Sequence, residues 1–320
     1  MEHRLKTPIA FFIFNRPEQT RFVFEAIQEA KPERILVVAD GPRHESEREL
    51  CEAARAVIDN INWKCDVQKD YSETNMGCRA RVSSGLDWVF QETDRAIILE
   101  DDCLPHSTFF LFCEKLLNHY AQDEQVMHIS GNFFQEKNRR FRSRDSYYFS
   151  VLPHIWGWAS WRRAWKYYDV NMKKWPKIRT SGALRKIITD PAVYEYWKTV
   201  WDEYYKGAIA SWDGQWAFAC MLQEGLSINP TVNLVSNIGF GPDARGTNDA
   251  NSIFANRPTK EIKFPIIHPK NIKPDKKADS FTWRQNFGIN RKLRQRMLGP
   301  LRRYLPNQYN TIKNLFGKKG

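Results

Sequence analysis

The sequence predicts an α/β protein built on a doubly wound sheet. Three short apolar runs, at residues 8–14, 35–39 and 96–99, suit strands that are buried on both faces of a parallel sheet. Helical spacing of apolar residues follows the first two runs and precedes the third. Strands that alternate with helices predict parallel β-α-β units with right-handed crossovers.

Turn residues separate these elements along the chain. Pro17 follows the first strand and suits the first turn of a helix, and Asp40-Gly41-Pro42 ends the second strand. Helices are predicted at 17–30, 46–59, 79–90, 105–120, 192–205 and 213–224. The remaining strands are predicted at 65–69, 126–130 and 147–151.

Composition limits the class of protein. A chain of 320 residues with 42% hydrophobic and 27% charged residues is typical of a soluble globular protein with an ample core. The apolar stretch at 9–14 is too short for a membrane span or a signal sequence, which predicts a cytoplasmic location. The six cysteines lack CxxC pairing and are predicted to be reduced, with Cys103 as a small buried residue.

The net charge of +12 is concentrated at the C-terminal end. Residues 280–320 hold ten Lys or Arg and no acid, which leaves +2 for the rest and predicts a domain at 1–279 with a basic tail. Mixed apolar and basic residues at 293–305 favour peripheral attachment of 284–320 to an anionic membrane, although a solvated tail is equally open. A nucleic-acid-binding protein is a third hypothesis, but it leaves the acids described next without a purpose.

Three carboxylates, Glu100-Asp101-Asp102, directly follow the apolar run at 96–99. Strands of open α/β sheets end at the edge where ligands bind. Crowded acids repel one another and are costly to desolvate, so a cation is the simplest compensation. Carboxylate oxygens suit Mg²⁺ or Mn²⁺. The alternative is a charged strand exit, with Asp102 near the cap of the next helix.

Six short motifs together resemble those of GT-A-fold glycosyltransferases over residues 8–269. They are Phe14-Asn15-Arg16, Val38-Ala39-Asp40-Gly41, Leu99-Glu100-Asp101-Asp102, Gly157-Trp158, Trp212-Asp213-Gly214 and Gly239-Phe240-Gly241. The chain most resembles the inverting N-acetylglucosaminyltransferase I type and bacterial family 2-like nucleotide-diphospho-sugar transferases. The resemblance implies a metal-dependent enzyme of polysaccharide biosynthesis that moves a sugar, most simply from a UDP-sugar, to a hydroxyl of a glycan or lipid-linked acceptor. Residues 1–131 would bind the nucleotide, and 132–279 the acceptor.

The resemblance also implies roles for residues on the donor side. Arg16 and Asp40 take the positions of nucleotide contacts, although Asp40 also suits a turn. Arg79 matches another donor contact more loosely, with a solvated helix face as the alternative. Asp102 would be the direct ligand of Mn²⁺ or Mg²⁺, while Glu100 and Asp101 reach the ribose or metal-bound water. His268 would add a metal ligand or serve only the structure.

On the acceptor side, Asp213 takes the position of the catalytic base. The family has two Asp in the matching Trp-Asp-Asp-Trp run, whereas this chain has one; an N-cap role is the alternative. Trp156, Gly157 and Trp158 would close the donor-sugar pocket, with hydrophobic core as the alternative, which we favour for Trp161 and Trp165. Residues 242–251 suit a lid over bound donor.

Two competing enzyme-like hypotheses remain at this point. A sugar nucleotidyltransferase would need a glycine-rich phosphate loop after the first strand, and Asn15-Arg16-Pro17 lacks one. An inactive homologue would bind the donor without hydrolysing it in the presence of Mn²⁺.

Overall fold

The computed structural model describes residues 4–241, 252–286 and 288–289, and its framework is a large β-sheet. The strands are β1 (Ile9–Ile13), β2 (Arg34–Ala39), β3 (Asp66–Tyr71), β4 (Arg95–Glu100), β5 (Cys103–Pro105), β6 (Val126–Ser130), β7 (Tyr147–Ser150), β8 (Trp158–Trp161), β9 (Leu226–Pro230) and β10 (Val235–Asn237). Eight strands form a mixed sheet in the order β3-β2-β1-β4-β8-β6-β9-β7, and β5 pairs with β10 in a separate antiparallel ribbon.

Helices cover both faces of this sheet. They are α1 (Pro17–Ala30), α2 (Arg48–Ala56), α3 (Cys78–Glu92), α4 (Thr108–His119), α5 (Arg162–Trp165), α6 (Trp175–Ser181), α7 (Pro191–Tyr205), α8 (Asp213–Leu222) and α9 (Lys276–Phe281). Alternate residues of β1 serve two cores, because Phe11 packs with α1 and α4 whereas Phe12 packs with α3. The doubly wound α/β prediction is therefore confirmed.

The strand directions give the sheet a Rossmann-like half and an antiparallel insertion. Strands β3, β2, β1 and β4 are parallel neighbours, and β8 runs antiparallel between β4 and β6. This is the mixed sheet expected of a GT-A fold. The two predicted halves of the domain therefore contribute strands to one continuous sheet.

Some element boundaries differ from the predictions. The helix predicted at 105–120 begins only at Thr108, because Cys103–Pro105 extends as β5 and pairs with β10. The helix predicted at 46–59 is an α-helix only over Arg48–Ala56, with 3₁₀ turns at both ends. The lid predicted at 242–251 and most of the basic tail lie outside the described residues.

Two other sequence predictions concern the cysteines and membrane spans. None of the six cysteines forms a disulfide, and Cys103 is fully buried as predicted. Across 4–241, 252–286 and 288–289, each helix is too short or too polar to cross a bilayer.

Candidate active site

The acid triplet lies where β4 ends beside β1. Asp102 Oδ2 accepts a hydrogen bond of 3.0 Å from Arg16 Nη1, and both side chains are only 20% exposed. Asn237 Nδ2 lies 3.4 Å from the other oxygen, Oδ1. Gly239 lies against this pair so closely that a Cβ there would be 2.1 Å from Asp102 Oδ2. The β10 segment therefore closes one side of the Arg16–Asp102 ion pair.

The other two acids differ in their surroundings. Asp101 Oδ2 accepts the Phe14 N–H at 3.2 Å, which ties the acid turn to the end of β1. Burial raises the pKa of the Glu100 carboxyl well above its usual range. Three neighbouring carboxylates raise that pKa further, while Arg16 lowers it; the three are Asp102, Asp101 and Asp213. Glu100 thus lies within electrostatic reach of acids from both halves of the domain.

The acid chemistry fits a hard divalent cation. Burial raises the pKa of Asp102 as well, against the opposing effect of Arg16. Within the described ranges no group of three or more His, Cys, Asp and Glu side chains is arranged to hold a metal ion. The carboxylates of Asp102 and Glu100 are nevertheless the ligand type that a hard divalent cation accepts, and Mg²⁺ is commonly held by only one or two of them.

Asp213 is the first residue of α8, and one of its two oxygens is fixed by hydroxyl groups. Oδ1 accepts hydrogen bonds from the Tyr204 hydroxyl at 3.0 Å and from the Ser211 hydroxyl. Oδ2 makes no hydrogen bond within the described part of the chain. Because Trp212 occupies the N-cap position and Asp213 accepts no backbone N–H from the described residues, the N-cap alternative for Asp213 is wrong.

Gly214 explains how Tyr204 reaches Asp213. A Cβ on Gly214 would lie 2.2 Å from the Tyr204 ring, so any larger residue would displace that ring. The Gly214 carbonyl also accepts the indole N–H of Trp201, one helical turn before Tyr204. The single Asp of the Trp212–Trp216 motif is therefore accompanied by a glycine that lets α7 approach.

Asp213 lines a cleft of about 1000 Å³ whose wall is largely aromatic. Its rings come from Phe134, Trp156, Tyr196, Trp197, Tyr204, Phe240 and Phe254. Trp197 Nε1 and Asn132 Oδ1 are buried behind this wall and have no hydrogen-bond partner among the described residues. The flat aromatic faces of the wall suit the apolar side of a sugar ring.

The tryptophan motif is divided between the cleft and the core. Trp156 lines the cleft and lies edge-on to Phe240 at 5.7 Å. Trp158 is 0% exposed and stacks on Trp212 at 5.6 Å, so it offers no face to a sugar and its predicted donor contact is wrong. Gly157 has a φ of +64°, and a Cβ there would lie 2.6 Å from the Val235 side chain. Trp161 and Trp165 are buried as predicted.

His268 lies far from the acid triplet. Its Nδ1 is 2.9 Å from the Tyr147 hydroxyl, and its ring stacks on His119 with a centroid distance of 4.1 Å. His119 ends α4, whereas Asp102 precedes the start of that helix, which is about 18 Å long. The predicted metal-ligand role of His268 is therefore wrong, because α4 separates it from the acids.

Asp40 and Arg79 make contacts within the protein. Both oxygens of Asp40 are used by the segment before α3, with Met76 N–H at 2.8 Å and Gly77 N–H at 3.0 Å. The Asn75 side chain and the Gly41 N–H donate two more hydrogen bonds to this carboxylate. Asp40 therefore stabilises the turn, which was the alternative to a nucleotide contact for this residue. The Arg79 guanidinium donates to the carbonyls of Val170 and Tyr204, which joins α3 to the end of α7. The predicted contacts of Asp40 and Arg79 with the nucleotide donor remain predictions.

Three residues that support the site were not predicted from the sequence. Tyr204 and Ser211 hold Asp213, and Asn237 holds Asp102. Helical spacing could have identified Tyr204, because Trp201 and Tyr204 share one face of α7. Asn237 carries no such signal, since it is separated from Asp102 by 135 residues.

Comparison with known proteins gives only distant structural similarities. No family model matches the chain, and no curated protein matches it. The 4-diphosphocytidyl-2C-methyl-D-erythritol synthase of Anaerococcus prevotii is 8% identical (TM-score 0.30; 49% of this chain, 72% of that one). A UDP-glucose pyrophosphorylase complexed with UDP-glucose is 11% identical (TM-score 0.23; 45% and 62%). Mouse xyloside xylosyltransferase 1 is 13% identical (TM-score 0.31; 68% and 81%).

These three proteins fall in the broad set of nucleotide-diphospho-sugar enzymes that the sequence motifs resemble. With TM-scores between 0.23 and 0.31, the similarities carry no argument about activity. The fold class therefore rests on the strand order, and any activity must be argued from the side chains.

Proposed function

We propose that this protein is an inverting glycosyltransferase that moves a sugar from a nucleotide-diphosphate donor, most simply a UDP-sugar, to an acceptor hydroxyl. The observation that carries the proposal is the link between the two sites at the residues after β10. Gly239 lies against the Arg16–Asp102 ion pair, and the next residue, Phe240, lines the same cleft as Asp213. Inversion needs a leaving-group site and a base on opposite faces of one sugar. A sugar bound beside Phe240 would have the diphosphate on the Arg16–Asp102 side and Asp213 on the other.

Asp213 would act as the base. Its Oδ1 is held by two hydroxyl groups, and Oδ2 is available to accept the proton of an acceptor hydroxyl. As that proton moves to Oδ2, the acceptor oxygen bonds to the anomeric carbon and the bond from that carbon to the diphosphate oxygen breaks. The products are the new glycoside and a nucleoside diphosphate.

The donor side would hold the diphosphate against Arg16 and the acid triplet. Arg16 can offset phosphate charge while its ion pair with Asp102 fixes its direction. Asp102 would hold Mn²⁺ or Mg²⁺, with Glu100 and Asp101 reaching the ribose or metal-bound water. The metal, when bound, would absorb negative charge that develops on the leaving diphosphate. Asp101 would keep the acid turn attached to β1.

The acceptor would lie in the aromatic cleft. Aromatic rings bind the apolar faces of sugars, and seven aromatic side chains line this cleft. A glycan or the glycan part of a lipid-linked acceptor fits this wall. A cytoplasmic location and attachment of the basic tail to a membrane are part of the same proposal. Arg284, the first basic residue of that tail, is not available for the membrane, because it lines the cleft and pairs with Asp190.

A thermal-shift screen of UDP-, GDP- and dTDP-sugars, each with and without Mn²⁺, tests the donor. We expect one sugar nucleotide to raise the melting temperature, and to do so more with Mn²⁺. The stabilising donor is then incubated with the protein, and the products are identified. Release of a nucleoside diphosphate supports the proposal. A reaction that requires a nucleoside triphosphate and releases pyrophosphate would show a nucleotidyltransferase instead, and binding without turnover would indicate an inactive homologue.

A further inference from the structure

A strongly basic face of the folded domain lies outside the candidate active site. Eight Lys and Arg side chains on it are exposed and form no ion pair within the described residues. They are Lys137, Arg139, Arg140, Arg142, Arg144, Lys273, Lys276 and Lys277. We call these eight residues the basic face.

Packing around β7 brings the two basic stretches together. Phe141, in the middle of the first stretch, packs on Tyr148 of β7 with ring centroids 5.1 Å apart. Tyr148 and Ala278 of α9 belong to the same small apolar cluster. The Asp275 N–H donates to the Phe149 carbonyl at 2.8 Å, so the chain that leads into α9 follows β7. Both stretches therefore lie at the β7 edge of the sheet.

Nearby acids do little to offset this charge. Glu136 forms an ion pair with Arg257, and Asp275 caps α9 by accepting the Lys277 and Ala278 N–H groups. Asp279 is buried beneath α9 and accepts the Ser150 hydroxyl. Asp145, just before β7, is half-buried. The exposed charge at this edge is therefore strongly positive.

We propose that the basic face docks on an anionic lipid surface. Each exposed Lys or Arg adds an attraction to anionic headgroups. Ile267 is 55% exposed; its carbonyl accepts the Ser146 N–H, and its own N–H donates to the Ser146 hydroxyl. Its side chain adds an aliphatic contact beside these cations. An aliphatic side chain favours lipid over single-stranded nucleic acid, which stacks on aromatic rings. Docking here does not depend on the transfer reaction.

The basic face lies close to the cleft, so docking on a lipid surface would affect which acceptors reach the cleft. Arg284 and Gln285 line the cleft and follow α9 directly along the chain. Asn132 and Phe134 also line the cleft, and Phe133 between them belongs to the apolar cluster under the basic face. Docking would therefore bring the cleft close to the lipid surface, where a lipid-linked acceptor could reach it.

Vesicle co-sedimentation of the full-length protein tests the proposal. We expect binding to vesicles of phosphatidylcholine with phosphatidylglycerol, and little binding to phosphatidylcholine alone. The double variants Lys276→Glu/Lys277→Glu and Arg140→Glu/Arg142→Glu should each weaken that binding about 25-fold or more, since each basic residue near the surface contributes about fivefold. The control Lys64→Glu/Lys69→Glu changes two exposed lysines near and on β3, at the opposite edge of the sheet, and should bind like wild type.

Two results would overturn the proposal. In the first, both face variants, shown by circular dichroism to be folded, bind the anionic vesicles as tightly as wild type. In the second, the wild-type protein does not bind the vesicles but binds a duplex DNA oligonucleotide, and the face variants no longer bind that DNA. This result would make the surface a nucleic-acid site.

Discussion

The hydroxyl of Tyr204 donates a hydrogen bond of 3.0 Å to Oδ1 of Asp213. Burial raises the pKa of Tyr204 far above its usual value, and the Asp213 carboxylate raises it further, so the phenol remains a donor at any working pH. The bond helps to fix the direction of the carboxylate, whose Oδ2 makes no hydrogen bond to the described residues. Tyr204 is therefore a positioning residue for the proposed base.

Tyr204→Phe should lower the turnover number about tenfold while the KM for the donor stays near its wild-type value. A hydrogen bond to a charged group contributes about 1.5 to 3 kcal/mol, and its loss lets the carboxylate rotate. Steady-state kinetics separates the two constants. Tyr205→Phe is the matched control, because Tyr205 is the next residue in the chain and its ring is 46% exposed. A variant that changes only the KM for donor would contradict the positioning role.

Asp213→Asn should remove most of the transfer activity and leave donor binding nearly intact. An amide cannot accept the acceptor's proton, and a general base contributes about a hundredfold to ten-thousandfold. Donor binding is followed by thermal shift and transfer by product formation. Asp94→Asn, an 87% exposed acid, should behave like wild type. Transfer by the Asp213→Asn protein at the parent rate would exclude Asp213 as the base.

Gly239→Ala should weaken donor binding and transfer, because the new Cβ would lie 2.1 Å from Asp102 Oδ2 and 2.8 Å from Arg16 Nη1. The ion pair must then separate or the β10 segment must move. Gly241→Ala is the control, since a Cβ at Gly241 would meet no atom of the described residues within 4 Å. Donor affinity and transfer rate are compared for both proteins. Equal behaviour of the two variants would show that the Arg16–Asp102 geometry does not matter.

Asp40→Asn should destabilise the fold by about 1 to 3 kcal/mol, because one carboxylate oxygen becomes an amide NH₂ that faces backbone N–H donors. Urea unfolding measures the change. Asp59→Asn removes an exposed acid and serves as the control. An unchanged free energy of unfolding would argue against the turn role and favour a role limited to the nucleotide.

Asp279 should make the stability depend on pH. Burial raises its pKa from 3.8 to about 7 in the folded protein, so the folded state binds more protons than the unfolded state between these values. The Asp279 contribution to the free energy of unfolding therefore falls as pH rises from about 4 to about 7, and is constant above that.

Asp279→Asn should flatten this pH dependence, as measured by melting temperature across the same range. Asp275→Asn is the control, since Asn can still cap α9 and leave the buried carboxyl in place. If the Asp279→Asn protein retained the wild-type pH profile, another group would be responsible.

The sequence predicted the local parts of the fold well, because apolar runs such as 35–39 and 96–99 form buried strands with no competing local pattern. It could not place β5 and β10, which are three residues each and form only when residues 103–105 meet 235–237. Trp158 shows the same limit within the site. Composition alone cannot tell Trp156, in the cleft wall, from Trp158, which begins β8 and is fully buried in the core.

His268 and Asp213 show why the site was only partly predictable. A histidine suits a metal by chemistry, and only the course of α4 shows that His268 lies at the wrong end of that helix. The hydroxyl pair on Asp213 likewise depends on how α7 and α8 cross. Residue type predicted which side chains could act, whereas long-range packing decided which of them meet.

The reversed strand β8 makes the acid-bearing strand depend on chain that is synthesised later. Until residues 158–161 emerge from the ribosome, β4 has an open edge on the side that β8 will occupy. A fragment that stops at residue 131 would leave those backbone groups unpaired and ready to join another chain. Neither half should persist as an independent soluble piece, and the intact protein should lose its order in one cooperative step.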